Sequence, residues 1–111
     1  MTDFVRACAA AEVPAGEATG VDIDGTPVAI VHTEDGEFFA IRDVCSHAEV
    51  PLSEGDVEGC TIECWLHGSQ FDLRTGKPTG LPATEPVPTY PTRVADGDVF
   101  VNISATQESV K

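Results

Sequence analysis

Short runs of apolar and β-branched residues, each closed off by glycine, proline or aspartate, recur along this chain. Runs of that kind predict strands joined by tight turns, and the pattern reads as all-β. Phe4 to Ala9 is the first expected strand and Ala18 to Ile23 the second. Asp24-Gly25 is a hairpin signal leading into Pro27 to His32, and Asp35-Gly36 closes a further hairpin into Glu37 to Arg42. Within Pro27 to His32 the alternation of Val28, Ile30 and His32 against Ala29 and Val31 is blurred, which suggests burial on both faces. Shorter strands are expected at Asp56 to Glu58, Cys60 to Glu63 and Gln70 to Asp72. Thr89 to Val94 and Val99 to Ile103 complete the set, around an Asp96-Gly97-Asp98 turn. Pro78, Pro82, Pro86, Pro88 and Pro91 mark the stretch between as loop. Ala7 to Ala11 could form a helical turn but is too short to change the class. Ser104 to Lys111 is polar and expected to fray.

With 111 residues the chain is expected to form one domain, residues 1–111, with a modest core. Nineteen Asp and Glu against six Lys and Arg leave a formal net charge of −13. Such a field repels nucleic acid and anionic membrane surfaces and attracts basic partners. Most of these carboxylates serve only to solvate the surface. No apolar run approaches the ~20 residues that span a bilayer, and Met1 to Val13 lacks a basic leader region. A cytoplasmic protein that neither enters a membrane nor binds nucleic acid is the expectation.

Cys45-Ser46-His47 and Cys64-Trp65-Leu66-His67, sixteen residues apart, change the picture. Each box offers one thiolate and one imidazole, in the same order. A single zinc ion can take two Cys and two His, but zinc fingers usually pair like with like. A Cys45–Cys64 disulfide would leave both histidines unexplained. Mixed pairs suit a two-iron cluster with chemically different irons, two thiolates on one and two imidazoles on the other, which is Rieske [2Fe–2S] ligation. Cys45, His47, Cys64 and His67 are thus the candidate cofactor and metal ligands, and no catalytic residue is expected. Glu49, Glu54, Asp56, Glu58 and Glu63 lie between or beside the boxes and are the candidate steering charges. Leu66, next to a ligand, is a candidate apolar docking spot. Cys8 and Cys60 are read as small buried hydrophobes in strands. A disulfide between them stays open, though an intracellular setting disfavours it. His32 is assigned a structural role.

The two boxes, together with Gln70-Phe71-Asp72-Leu73, Gly76-Lys77-Pro78 and the Pro82 to Pro91 region, resemble Rieske proteins, and more closely the small Rieske ferredoxins of bacterial ring-hydroxylating dioxygenases. The likeness runs from about Phe4 to Ile103. One departure is Trp65, where the family often has proline after the second cluster cysteine. The resemblance implies a Rieske fold: an antiparallel β-sandwich base of N- and C-terminal strands, with a small cluster-binding subdomain, about residues 43–82, inserted in it. It also implies that Pro78, Gly80 and Pro82 belong to a loop covering the cluster. High-potential members carry an extra cysteine in each ligand loop, and serine and tyrosine hydroxyls directed at cluster sulfurs. Ala48-Glu49-Val50 and Leu66 stand where the extra cysteines would be, Ser69 keeps the serine, and Phe71 replaces the tyrosine. A low-potential centre is therefore expected.

The function this implies is a one-electron carrier holding one [2Fe–2S] cluster, passing electrons from a flavin-dependent ferredoxin reductase to a terminal non-haem iron oxygenase. The chain would be an electron-transfer component and not itself an enzyme. An oxygenase needs a further iron held by two histidines and a carboxylate, and only His32 is left over. Three alternatives stand beside this reading: a Rieske ferredoxin serving iron–sulfur cluster assembly, a zinc-binding protein, and a non-redox interaction module like the small nitrite-reductase subunits.

Overall fold

A computed structural model of the chain describes residues 4–23, 25–44, 51–64, 68–79 and 86–103. Among these residues there are ten strands and no α-helix. The strands are β1 (Val5–Ala9), β2 (Glu17–Ile23), β3 (Thr26–His32), β4 (Phe38–Arg42), β5 (Asp56–Glu58), β6 (Thr61–Glu63), β7 (Gln70–Asp72), β8 (Thr89–Tyr90), β9 (Thr92–Ala95) and β10 (Asp98–Val101). They form three antiparallel sheets, ordered β1-β10-β9, β2-β3-β4-β8 and β5-β6-β7.

The four-stranded sheet is the middle layer. Val28, Ala29, Ile30 and Val31 of β3 are all fully buried. Val28 and Ile30 join Cys8, Ile23, Ala40, Tyr90, Val99 and Val101 in the core shared with the β1-β10-β9 sheet. Ala29 and Val31 turn the other way, into a second core with Ile41, Leu52, Ile62, Cys64, Phe71, Leu73 and Val87. Side chains alternate across a strand, so the blurred alternation of β3 arises from two apolar faces that meet two different cores.

Three expected elements move. The run from Thr89 to Val94 is broken at Pro91: Tyr90 and Thr89 pair with Ala40 and Ile41, whereas β9 pairs with β10. Proline has no N–H to continue a ladder. Its carbonyl instead accepts the Asn102 N–H at 3.1 Å, which hands the chain to the other sheet. Cys60 lies in the turn between β5 and β6, not in a strand. The helical turn is a single 3₁₀ turn at Ala10–Glu12, and Ala7 to Ala9 remain in β1. A second 3₁₀ turn, Leu52–Glu54, had no signal in the sequence. The tail from Ser104 onward lies outside the described residues.

The β5-β6-β7 sheet falls between β4 and β8 in chain order. Backbone contacts bind it closely to its flanks. Gly55, just after the second 3₁₀ turn, lies so near β6 that a Cβ there would stand 1.7 Å from the Glu63 carbonyl oxygen. Gly76 is clasped likewise, with its N–H on Asp72 O at 2.7 Å and its carbonyl on Val87 N–H at 2.8 Å. Gly55→Ala must push two backbone segments apart. We expect it to destabilise the fold by about 2 kcal/mol or more, in the range for overpacking, read as a fall in the thermal midpoint of roughly 8 °C or more. A midpoint unchanged within a degree would contradict this packing.

Candidate metal centre

Of the four candidate ligands, Cys64 lies within the described residues; Cys45, His47 and His67 lie outside them. Cys64 follows directly on β6 and is fully buried. Its N–H donates to Ser69 O at 2.6 Å, and its carbonyl accepts the Gly68 N–H at 2.9 Å. Cys64, Gly68 and Ser69 are thus held together through their backbones. Gly68 has φ +80°, a left-handed conformation that glycine adopts without steric cost. A Cβ on Gly68 would stand 3.4 Å from a Glu63 carboxylate oxygen, which brings that acid to the loop mouth.

The flanks of the first box are held equally firmly. Asp43, two residues ahead of Cys45, accepts the Ser53 N–H on Oδ1 at 2.6 Å and the Ser53 hydroxyl on Oδ2 at 2.7 Å. The described residues on either side of positions 45–50 are therefore tied to each other. Two residues beyond Ser53, the close approach of Gly55 to Glu63 sets that return point against the start of the second loop. A chain of contacts from Asp43 through Ser53 and Gly55 to Glu63 joins the supports of both boxes. Sequence reasoning did not find it. Asp43 was visible beside a ligand, but its partner stands ten residues away and carries no motif.

The remaining thiols are elsewhere. Cys8, in β1, is buried in the core between the β1-β10-β9 sheet and the middle sheet, and Cys60 is half-buried at the far end of β6 from Cys64. Cys8 and Cys60 are not bridged to each other: Cys8 belongs to one core, and Cys60 packs against the other. Burial pushes the Cys8 thiol up from its ordinary value of 9.0, with Glu12 adding to the rise. Burial raises the Cys60 thiol too, partly offset by Arg74. Both stay protonated at neutral pH, as packing groups do. His32 serves the framework: its Nδ1 lies 2.8 Å from Val13 O, and its ring stacks on Phe38 at 4.0 Å and 17°. Ser69 and Phe71 are both fully buried. Phe71 sits opposite Ile62 in β7 and bridges to Pro78. No helix among the described residues is long and apolar enough to cross a membrane.

Residues 3–91 match the Rieske [2Fe-2S] domain family. The chain belongs to that family. It is 46% identical over 104 residues to the 3-phenylpropionate/cinnamic acid dioxygenase ferredoxin subunit of Escherichia coli K12, covering 93% of this chain and 96% of that protein. Among solved structures it resembles the ferredoxin of carbazole 1,9a-dioxygenase from Nocardioides aromaticivorans IC177, with a TM-score of 0.83 and 37% identity over 90% of this chain and 97% of that one. It also resembles a chain in the complex of reduced oxygenase and oxidised ferredoxin of carbazole 1,9a-dioxygenase, with a TM-score of 0.83 and 32% identity over 100% of both.

The cofactor of this Rieske domain is a [2Fe–2S] cluster, and the described surroundings fit it. A thiolate ligand needs a cysteine sulfur held away from solvent, and Cys64 sits in an apolar setting formed with Leu52, Ile62 and Phe71. A cluster shared by two boxes also needs both loops rooted side by side. The Gly55–Glu63 contact roots them so.

Proposed function

We propose that this Rieske domain is the ferredoxin of a multicomponent dioxygenase, in which Cys45 and Cys64 hold one iron and His47 and His67 the other. Its reductant would be a flavin-dependent ferredoxin reductase, its acceptor a terminal oxygenase, and its place the cytoplasm. Residues 43–82 would form the cluster-binding unit. The cluster would supply uptake and release of one electron; everything else falls to the polypeptide. The observation that carries this reading is end-to-end likeness to dioxygenase ferredoxins, on a scaffold whose two box supports touch. It favours oxygenase supply over the cluster-assembly role that the ligand boxes alone leave open.

The chain's own groups have three tasks. Burial of Cys64 and its apolar neighbours keeps water from the thiolate side of the site. Buried Phe71 contributes no donor near Cys64, so the reduced, more negative state gains nothing from it. On the surface, Glu34, Asp56, Glu58 and Glu63 line one shallow depression. Asp56 stands directly opposite Glu63 in the β5-β6 ladder, and like charges so placed are destabilising. A surface that tolerates that cost beside the second ligand loop is suited to a basic partner. Glu49 and Leu66, the other docking candidates, lie outside the described residues.

Three outcomes test the proposal. Cys64→Ser and His67→Ala should lose the visible absorption and the Rieske g-values, whereas Cys8→Ser and Cys60→Ser keep full iron content; a His67→Ala protein with a normal spectrum would overturn the ligand set. Neutralising Glu54, Asp56 and Glu58 together should slow reduction by the reductase at low salt. The deficit should shrink with rising ionic strength, since the Debye length is only ~8 Å at physiological salt. Stopped-flow rates indifferent to both would point to apolar docking instead. The reduction potential should lie at about −150 mV, the low end for Rieske centres. Phe71→Tyr should raise it by tens of millivolts, where 59 mV is tenfold for one electron. Film voltammetry giving a wild-type value above about +100 mV would refute the account of the cluster's surroundings.

A further inference from the structure

Asp43 uses both carboxylate oxygens on one residue, Ser53, through a backbone N–H and a hydroxyl at 2.6 and 2.7 Å. Hydrogen bonds to an ionised acceptor are the stronger kind. The bonds span ten positions of sequence and close the segment that contains Cys45 and His47. The Asp43 backbone is fixed as well, its N–H donating to Pro27 O at 2.9 Å. Below the pair lies Gly20 of β2, with almost no clearance. A Cβ there would stand 2.6 Å from Asp43 Oδ2 and 2.9 Å from Ser53 Oγ. Gly20 has an ordinary strand partner, Ala29, so the space above it, taken by the Asp43–Ser53 pair, is what a side chain would need.

We propose that Asp43 is a positioning residue for the cluster: its bidentate grip on Ser53, seated over Gly20, fixes the mouth of the first ligand loop and so sets how firmly Cys45 and His47 hold iron. The inference rests on the ligand set proposed above. The fold does not need this grip for its own ladders, because none of the three sheets pairs through Asp43 or Ser53. The grip is the tie between the end of β4 and the 3₁₀ turn that leads to β5. Supports lying outside the ligands themselves commonly govern metal retention by ten- to hundredfold, roughly.

The test uses the cluster-loaded protein and measures the rate of bleaching under a strong iron chelator, with the g-values of the reduced protein and the thermal midpoint as companions. Asp43→Ala should lose its cluster at least about ten times faster than wild type, with shifted g-values. Asp43→Asn, which can accept the Ser53 N–H and offer its amide to the hydroxyl, should restore retention to within about threefold, with wild-type g-values. Gly20→Ala, distant in sequence from every ligand, should reproduce the faster loss by wedging the pair apart. Ser53→Ala, which removes the hydroxyl bond alone, should fall between, and with Gly20→Ala it decides the matter if Asp43→Ala does not fold. Wild-type bleaching rates in Asp43→Ala, or in both Ser53→Ala and Gly20→Ala, would overturn the proposal, as would an Asp43→Asn protein that behaves like Asp43→Ala. Cys45→Ser separates the two levels of failure. If it keeps a normal cluster, the ligand set is wrong; if it loses the cluster while the Asp43 variants match wild type, only the grip is wrong.

Discussion

A strand with no solvent face governs this fold. The four central residues of β3, Val28 to Val31, are fully buried, two toward one core and two toward the other. In an antiparallel sheet with one wet face such a strand would waste apolar area; here it is the layer against which both outer sheets find their cores. Truncating Ile30 would open a cavity between two sheets, at a cost of about 2–5 kcal/mol for a residue of this kind. For a chain of 111 residues bearing a net charge of −13, self-repulsion works against compactness, and the double burial of one strand supplies much of what opposes it.

The site inherits its rigidity from that arrangement. Cys64 belongs to the second core and packs in one cluster with Ala29 and Val31 of the same β3 strand. As the ligand proposed above, a residue anchored in a core would have little room to adjust, which favours a fixed donor geometry over an adaptable one. The exposed acids sit on the other side of the same small sheet: Asp56 and Glu58 are exposed, whereas Val57 between them packs against the core beside its partner Ile62, which is fully buried. One small sheet thus separates a buried, apolar side from a charged, wet side within a single strand thickness.

Much of the fold was legible because turns were marked by residues with few alternatives. Asp22 accepts the Gly25 N–H at 2.8 Å, and the hairpin falls where Asp24-Gly25 placed it. The Asp35-Gly36 signal is likewise met by β3 and β4 pairing from His32 and Phe38 onward. What failed to show was of two kinds. Pro91 divides one apparent strand between two sheets, a decision made by tertiary pairing that local composition does not carry. The supports of the candidate site rest on contacts between residues distant in sequence: Asp43 with Ser53, and Gly55 against Glu63. The two Cys/His boxes stand out as a motif, since residue identity and spacing are written along the chain, whereas the clearance beneath a glycine is a property of the assembled fold.

The hydrogen bond from Arg42 N–H to Pro88 O, at 3.0 Å, has a consequence for the history of the cofactor. It ties together the residues where the chain departs toward β5 and where it comes back, next to the pairing of Ala40 with Tyr90. The ladders of the other two sheets contain no residue of that excursion. Loss of the cluster would therefore take no rung from them, and it would reach them only through the core that Cys64 shares with Ala29 and Val31. The frame of those two sheets is thus hydrogen-bonded to completion without any backbone group of the proposed site.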